Sequence, residues 1–205
     1  MEYLKGREAQ IQAGVEILAK QCGDLMLRRS GDLQANEIHF KDRRNLVTEV
    51  DLACEALLVE GLRDLLPEAN FQTEEGLVPG TDRGLRWVVD PLDGTTNFAA
   101  GIPYWAISIA RFERGVPVLA VLDVPPLRQR IVAVRGAGAW RKGKPLDPPS
   151  ARRQVAGCAS LCSRSIGVLQ KLPNQRFPGK IRLLGVASLN LVSVALGQTV
   201  SALEA

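Results

Sequence analysis

The chain has 205 residues, 46% of them hydrophobic and 23% charged, and a formal net charge of +4. This composition excludes disordered and collagen-like proteins, and the length allows one large domain or two small ones. No apolar run is long enough to span a bilayer, and the beginning of the chain, MEYLKGREAQ, lacks the apolar stretch of a signal peptide. We therefore expect a cytoplasmic protein that does not bind a membrane.

Two amphipathic helices are predicted in the first third of the chain. Apolar residues recur at steps of three and four over residues 7–28 and again over residues 49–66. Pro67 then ends the second helix. Polar residues fill the stretch 31–44 between the helices, which predicts a hairpin or a mobile loop.

Strand patterns dominate the rest of the chain, although residues 165–172 and 187–196 are helical by pattern. A segment rich in Pro and Arg, 148–154, marks a subdomain boundary. We predict an α/β fold in two parts, a metal-binding part at 1–147 and a substrate-binding part at 148–205. The predicted strands are 70–73, 86–90, 105–112, 116–122, 130–134, 155–160, 180–184 and 199–203, with a turn and strand at 136–140 and a turn at 142–145.

The positive charge alone is weak support for a nucleic-acid site. Basic residues are scattered apart from short groups at 28–29, 41–44 and 152–153, and no series of aromatic residues accompanies them. Proteins that bind single strands need such aromatic side chains for base stacking. We interpret the charge as solvated surface that also steers an anionic substrate, and we expect no nucleic-acid partner.

The cysteines favour a reducing compartment over a metal site. The chain has a single histidine, His39, so few ligands are available for zinc. Buried or incidental thiols fit a reducing cytoplasm best. The four cysteines are Cys22, Cys54, Cys158 and Cys162. The alternative that stays open is a metal site formed by the last two.

The most informative segment is 87–98, WVVDPLDGTTNF. Asp90 and Asp93 stand three residues apart, at the end of a predicted buried strand and just before a Gly-Thr turn. A cluster of hard oxygen ligands suits Mg²⁺, which keeps some waters and is usually shared with substrate phosphate. A turn at Gly94 and Thr95 that leads into a helix would present N–H groups to an anion. DPLDG alone would indicate only a polar turn, but the full string predicts phosphoryl chemistry.

Two upstream segments give this motif its context. Residues 87–98 match the pattern W-[VI]-[VI]-D-P-[IL]-D-G-T-x-N-[FY], residues 45–51 read NLVTEVD, and residues 73–76 read TEEG. These segments resemble, in the same order, the three acidic elements of the inositol monophosphatase family of Mg²⁺-dependent, Li⁺-sensitive phosphatases. The resemblance covers about residues 1–204. It implies the layered αβαβα sandwich that this family shares with fructose bisphosphatase.

The resemblance implies a metal site made from these acidic elements. Glu74, Asp90 and the backbone carbonyl of Leu92 would hold one Mg²⁺, and Asp90 would bridge to a second ion that Asp93 also binds. Glu74 would also touch a third, weaker ion, so it counts among the catalytic residues. Metal ions in such a site lower the pKa of a bound water and neutralise charge on the leaving oxygen.

The resemblance also implies how water and phosphate are held. Thr95 and Asp51 would orient the nucleophilic water, with the threonine hydroxyl relaying a hydrogen bond. The backbone N–H groups of Gly94 and Thr95 would bind the phosphate, and Asp93 would also contact the substrate. Taken alone, Asp51 would be a helix-surface acid and Thr95 a helix cap.

Contacts to the alcohol part of the substrate are expected in the carboxyl half. The letters LGVAS resemble the family's G-[ST]-A-A element, which places Gly185, Val186 and Ala187 near the alcohol. Val186 replaces the usual Ser or Thr, so the expected site has one hydroxyl fewer near the alcohol. Glu204 occupies the place of a family glutamate that hydrogen-bonds substrate hydroxyls.

The sequence departs from the family pattern at its end. Family members continue into a W-D-x-A-A-G element whose aspartate completes the second metal site, whereas this sequence ends at Ala205. We expect a C-terminally shortened sandwich in which Asp93 holds the second ion less tightly. In the family, inhibition by Li⁺ involves this second metal site. Inhibition of this protein by Li⁺ is therefore an expectation that depends on how well the second site forms.

The favoured function is Mg²⁺-dependent hydrolysis of a small phosphate monoester, with inositol monophosphate as the substrate. Histidinol phosphate, fructose 1,6-bisphosphate and phosphoadenosine phosphate stay open, because similar proteins act on them with the same metal core. A second hypothesis is a non-catalytic or weakly active shortened family member that binds metal, phosphate or a protein partner. A nucleic-acid binder, suggested by the net charge of +4 alone, is the third. The family also implies a homodimer.

Overall fold

The computed structural model describes residues 6–33, 37–40, 46–74, 84–147, 157–162, 165–169 and 180–203. The chain divides into two units, Met1–Pro145 and Leu146–Ala205. The first contains two long helices and a large sheet, and the second contains a small sheet and two short helices. None of the described helices is both long and apolar enough to cross a membrane.

Two long helices occupy the predicted positions, α1 at Arg7–Arg29 and α2 at Glu49–Leu65. A capping box starts α2: the Thr48 hydroxyl accepts from the N–H of Asp51, and the Asp51 carboxylate accepts from the N–H of Thr48. Pro67 cannot continue the helix because it has no N–H to donate, and α2 ends just before it. Both helix predictions are confirmed.

The two helices contact each other and the sheet through their apolar faces. Burying one large aliphatic side chain contributes about 1.5–3 kcal/mol, so this face largely determines where the helices lie. Its spacing of three and four residues is the pattern from which the helices were predicted. The buried apolar side chains are Ile11, Val15, Ala19, Cys22 and Met26 of α1 and Val50, Cys54, Leu58, Val59 and Leu62 of α2.

A short hairpin precedes α2. Strand β1, Ile38–Phe40, pairs antiparallel with β2, Leu46–Thr48, so that Ile38 lies opposite Thr48. Of the stretch 31–44, in which a hairpin was one of two predictions, residues 38–40 form a hairpin strand; β2 lies beyond the stretch, and residues 34–36 and 41–45 lie outside the described residues. Because β2 ends at the residue that caps α2, the hairpin fixes the start of that helix.

A seven-stranded mixed sheet forms the rest of the first unit. Its strands in chain order are β3 (Asn70–Thr73), β4 (Leu85–Asp93), β5 (Ala106–Glu113), β6 (Val116–Val124), β7 (Gln129–Val134), β8 (Gly138–Arg141) and β9 (Lys144–Pro145). They lie in the sheet in this same order; β3 and β4 are parallel and the other neighbouring pairs are antiparallel.

The predicted strands of the first unit are confirmed with two differences. The strand predicted at 86–90 continues through Pro91 to Asp93, and the turn predicted at 142–145 ends in the short strand β9. Proline is tolerated within β4 because the pairing with β5 is irregular between Asp90 and Asp93. A short helix, α3 at Thr95–Ala99, follows β4 after one residue.

The second unit has a three-stranded parallel sheet with the strand order β11-β10-β12, where β10 is Cys158–Leu161, β11 is Lys180–Arg182 and β12 is Ser201–Leu203. Its described helices are α4, Ile166–Leu169, and α5, Ala187–Ala195. The Ser160 hydroxyl of β10 lies 3.4 Å from the Ser193 hydroxyl of α5, which joins the helix to the central strand. Strands β11 and β12 are shorter than predicted. Residues 155–156, where the strand predicted at 155–160 begins, and residues 170–179, which include the end of the helical stretch predicted at 165–172, lie outside the described residues.

Gly23 of α1 gives a stability prediction. A methyl group at its Cα would lie 2.7 Å from Cγ of Pro125 and 3.2 Å from Oδ2 of Asp123. Because the proline ring cannot turn aside, we expect Gly23→Ala to lower the free energy of unfolding by about 1–3 kcal/mol, against the helix propensity of alanine. Gly14→Ala is the control, since its methyl meets only the flexible end of Leu65. Urea unfolding measures both, and equal losses would contradict the prediction.

Candidate active site

Parallel pairing of β3 and β4 brings two of the predicted acids together. Thr73 lies opposite Val89, and the N–H of Glu74 donates to the carbonyl of Val89 at 3.2 Å. The next residue of β4 is Asp90, so Glu74 and Asp90 lie side by side where both strands reach their carboxyl ends. Sequence-distant acids meet here because parallel strands end at the same edge of a sheet.

A β-bulge positions the remaining part of the motif. Asp90 lies opposite Ser108 and Asp93 lies opposite Ala106, so three steps along β4 match two steps along β5. The extra residue bends the strand, and bulges of this kind often re-aim side chains beside active sites. The N–H of Leu92 turns back and donates to Oδ1 of Asp90 at 3.1 Å. The bulge therefore holds Asp90 and Asp93 near each other on one strand.

The environment of Asp90 is electrostatically unfavourable for its charged form. Burial is the largest cause that raises its pKa, followed by the charges of Glu74 and Asp93 and a hydrogen bond with Glu74. The Leu92 N–H opposes these effects, and the pKa of Asp90 rises to about 9. A divalent cation beside the carboxylates would reverse this cost, because it would stabilise the charged form.

The donor chemistry fits Mg²⁺, since carboxylate and carbonyl oxygens are the ligands it prefers. Within the described part of the chain, however, no three acidic, histidine or cysteine side chains are already arranged to hold a metal ion. Three carboxylates repel one another, and the hydrogen bond between Glu74 and Asp90 occupies oxygen atoms that a metal ion would need. The metal site at Glu74, Asp90, Leu92 and Asp93 therefore stays a prediction, supported by the proximity of its acids.

Asp51 and Thr95 form a second polar contact beside this edge. Asp51 is 2% exposed, and its Oδ2 accepts from the backbone N–H of Thr48 at 2.9 Å and from the Thr48 hydroxyl. Its Oδ1 lies 3.2 Å from the Thr95 hydroxyl, which is also 3.0 Å from the carbonyl of Leu92. The capping box thus fixes the carboxylate, and the carboxylate in turn orients the threonine hydroxyl next to the carbonyl predicted to bind metal.

Gly94 links the bulge to α3. Its φ of 100° lies in the left-handed region, which glycine adopts without the steric cost of a Cβ. Its carbonyl accepts from the N–H of Phe98 at 3.0 Å, closing the first helical turn. The first N–H groups of a helix have no partner within that helix. Gly94 and Thr95 therefore lie at the edge where an anion was predicted to bind.

Tyr104 belongs to this region and was missed from the sequence. Its phenol is half-buried, and desolvation together with the charge of Asp93 raises the pKa of this tyrosine. Its carbonyl accepts from the Asn97 amide at 2.8 Å. A single aromatic residue after a turn has no sequence signal that separates a site residue from a core residue, so only the β4–β5 pairing identifies it.

The substrate residues predicted in the second unit lie around the start of α5. Gly185 has a φ of 72°, Val186 is fully buried, and Ala187 is exposed. Val186 caps the helix without a side-chain hydrogen bond, in agreement with the missing hydroxyl. These three residues stay candidate contacts, and Glu204 lies outside the described residues.

The cysteines occupy structural positions in the described units. Cys22 and Cys54 are fully buried, and each sulfur lies beside the other residue's carbonyl, at 3.7 and 3.9 Å. All four cysteines are free thiols. Cys162 contacts the Ser165 hydroxyl at 3.0 Å, while Cys158 is half-buried on β10. The prediction of buried thiols is confirmed for Cys22 and Cys54.

The raised pKa of Asp90 gives a prediction about pH. The pKa of Asp90 is raised from 3.8 to about 9 in the folded protein, so between these values the folded state binds a proton that the unfolded state releases. The free energy of unfolding of metal-free protein should then fall as pH rises from roughly 4 to roughly 9. Urea unfolding in EDTA checks this, with a smaller fall expected in Asp90→Asn. The same pH dependence in both proteins would show that another group causes it.

Known proteins resemble this chain in sequence and in fold. A model of the inositol monophosphatase family matches residues 4–205. The chain is 31% identical over 186 residues to the fructose-1,6-bisphosphatase/inositol-1-monophosphatase of Thermotoga maritima, covering 88% of this chain and 70% of that protein. It is 34% identical over 191 residues to the Nus factor SuhB of Escherichia coli K12, with the same two coverages of 88% and 70%.

A solved structure supports the same relationship. The extragenic suppressor protein suhB from Bartonella henselae superimposes with a TM-score of 0.82 at 31% identity, covering 93% of this chain and 76% of that one. This similarity confirms the predicted α/β class and its layered αβαβα sandwich. Because the family model extends over nearly the whole sequence, the chain belongs to the inositol monophosphatase family.

Proposed function

We propose that this protein hydrolyses a small phosphate monoester with Mg²⁺, and that inositol monophosphate is its substrate. The observation that carries the proposal is the placement of Glu74 beside Asp90, next to the hydrogen bond between Asp51 and Thr95. Without a bound cation, acids placed around a buried carboxyl disfavour its charged form. Their position beside an oriented hydroxyl supports a hydrolytic site over a purely structural cluster.

Four groups would hold the metal ions in this proposal. They are the carboxylates of Glu74, Asp90 and Asp93 and the carbonyl of Leu92, all at the edge formed by β3 and the bulged end of β4. When bound there, Mg²⁺ would neutralise phosphate charge and lower the pKa of a water molecule. The hydrogen bond from Leu92 N–H would keep the Asp90 carboxylate oriented.

Thr95 and Asp51 would handle the proton of the attacking water. Oδ1 of Asp51 lies 3.2 Å from the Thr95 hydroxyl, so this hydroxyl can donate to the carboxylate while its oxygen accepts from water. Thr48 holds the other carboxylate oxygen through the capping box, which keeps Asp51 from turning away. The water is thereby aligned by a fixed acceptor rather than by a mobile surface acid.

The phosphate and the alcohol would be bound by different groups. Backbone N–H groups of Gly94 and Thr95 would bind the phosphate at the first turn of α3. Asp93 would accept a hydrogen bond from the alcohol. Further contacts to the alcohol would come from Glu204 and from the start of α5, which supplies Gly185, Val186 and Ala187.

Two names among the relatives support alternatives. The Thermotoga maritima relative is named for fructose-1,6-bisphosphatase as well as inositol-1-monophosphatase activity, which favours fructose 1,6-bisphosphate as the next substrate to test. The Escherichia coli relative is named a Nus factor, which supports a non-catalytic role through a partner. A homodimer is expected with either function, and absence of nucleic-acid binding stays a prediction.

A phosphate-release screen separates these possibilities. The substrates are inositol monophosphate, histidinol phosphate, fructose 1,6-bisphosphate and phosphoadenosine phosphate, each with Mg²⁺ and with EDTA. We expect Mg²⁺-dependent release that is fastest with inositol monophosphate. Calorimetry with Mg²⁺ and inorganic phosphate accompanies the screen. Binding without turnover of any substrate would select the non-catalytic role, and neither binding nor turnover would contradict the proposal.

A further inference from the structure

Tyr104 is held in place by the loop that leads from α3 into β5. Its N–H donates to the carbonyl of Ile102 at 2.7 Å, and its carbonyl accepts from the Asn97 amide at 2.8 Å. The following residue, Trp105, is fully buried and meets the ring of Phe98 edge to face, with centroids 5.3 Å apart. The loop is therefore anchored on both sides of the tyrosine, which gives this residue a defined position.

The strand register places this residue beside the acidic motif. Asp93 pairs with Ala106, and Tyr104 lies two residues before that pair, at the end of the sheet where β4 turns into α3. The phenol is half-buried rather than enclosed in the core, and desolvation together with the charge of Asp93 raises its pKa. The two hydrogen bonds that fix the position of Tyr104 both use its backbone atoms, so the ring is carried by the loop.

We propose that Tyr104 is a specificity-determining residue that contacts the alcohol part of the substrate beside Asp93. This inference rests on the proposed function and names a residue that recognises the alcohol leaving group. The hydroxyl of tyrosine both donates and accepts, whereas the Asp93 carboxylate only accepts. A substrate hydroxyl between them donates to Asp93 and accepts from Tyr104.

Electrostatics favours the alcohol over the phosphate as the group that Tyr104 contacts. A phosphate placed between the phenol and the Asp93 oxygen that does not bind metal would lie against a group of the same sign. A neutral hydroxyl meets no such repulsion, and it satisfies both protein groups at once. A site that hydrogen-bonds a substrate hydroxyl rejects esters lacking it, because its polar groups are then left unpaired. The favoured substrates are therefore esters of polyols.

The experiment compares Tyr104→Phe with the unaltered protein on two esters. Inositol monophosphate carries hydroxyl groups on its alcohol, and p-nitrophenyl phosphate carries none. We expect the ratio of kcat/KM for inositol monophosphate to that for p-nitrophenyl phosphate to fall about tenfold in the variant, mostly through KM. Thr96→Ala, which removes an exposed hydroxyl from the neighbouring helix α3, should leave this ratio unchanged.

The outcomes distinguish this inference from the function on which it rests. An unchanged ratio in Tyr104→Phe, with Mg²⁺-dependent hydrolysis of both esters, would overturn the role of Tyr104 alone. Failure of the unaltered protein to hydrolyse either ester would overturn the proposed function and this role with it. Thermal unfolding of the variant detects a structural loss, which would lower both activities together and leave the ratio as it was, and that result also counts against the inference.

Discussion

Replacing Asp90 with Asn is expected to reduce Mg²⁺-dependent hydrolysis by about 10³-fold, which corresponds to about 4 kcal/mol of transition-state stabilisation. Asp90 is the acid that neighbours both of the others. Glu74 lies beside it at the end of β3, and Asp93 follows it on β4 after the bulge. The amide keeps the size of the side chain, but it is uncharged and has only one oxygen atom, so it cannot bridge two metal ions as the carboxylate is predicted to do. Initial rates at saturating Mg²⁺ measure the loss.

The same change should not destabilise the metal-free protein. The pKa of Asp90 is raised chiefly by burial and then by its acidic neighbours, so folding at neutral pH requires this carboxyl to take up a proton, which opposes folding. An uncharged amide removes that cost. Asp64→Asn, at an exposed position of α2, is the matched control and should retain activity. Loss of folding in Asp90→Asn, or activity within tenfold of the unaltered protein, would contradict the role that we assign to this residue.

Thr95→Ala is expected to lower kcat by about 10²–10³-fold, the range in which positioned proton-transfer groups contribute. Its hydroxyl lies 3.2 Å from Oδ1 of Asp51 and 3.0 Å from the carbonyl of Leu92, so its loss leaves the attacking water without an aligned acceptor. The mutation removes no buried charge, and we expect little change in stability. Single-turnover rates with the best substrate of the screen provide the measurement.

Two variants control for the structural effects of this change. Thr95→Ser keeps the hydroxyl and should retain activity within about tenfold. Thr48→Ala removes the helix-capping hydroxyl and should cost about 1 kcal/mol of stability, with a smaller effect on kcat, because the backbone N–H of residue 48 still holds the Asp51 carboxylate. If Thr95→Ala and Thr95→Ser were equally active, the hydroxyl would have no part in the reaction.

Local patterns predicted the elements of the fold because each pattern records which side chains are buried. The apolar spacing of Ile11, Val15 and Cys22 is the buried face of α1, and Pro67 marks the end of α2. Both features depend only on residues that are close together in the sequence. The weaker predictions lie where short strands depend on their pairing partners, such as β9, which was predicted as a turn.

The site was predictable to the extent that its residues carry distinctive chemistry in one string. Asp90 and Asp93 are conspicuous next to a Gly-Thr turn, and the family resemblance paired Asp51 with Thr95, 44 residues apart. The bulge between Asp90 and Asp93 depends on pairing with β5, which no local pattern encodes. Tyr104 was missed for the same reason, because its proximity to Asp93 follows from that register.

The central claim is that Glu74, Asp90 and Asp93 bind divalent cations at the end of β4. The most direct test is a crystal structure of the protein with Mn²⁺ in place of Mg²⁺, located by its anomalous scattering. Mn²⁺ prefers the same oxygen ligands. We predict a peak within about 2.0–2.6 Å of carboxylate oxygens of both Asp90 and Glu74. Full hydrolytic activity with Mn²⁺, together with a metal peak that touches none of these three acids, would contradict the claim.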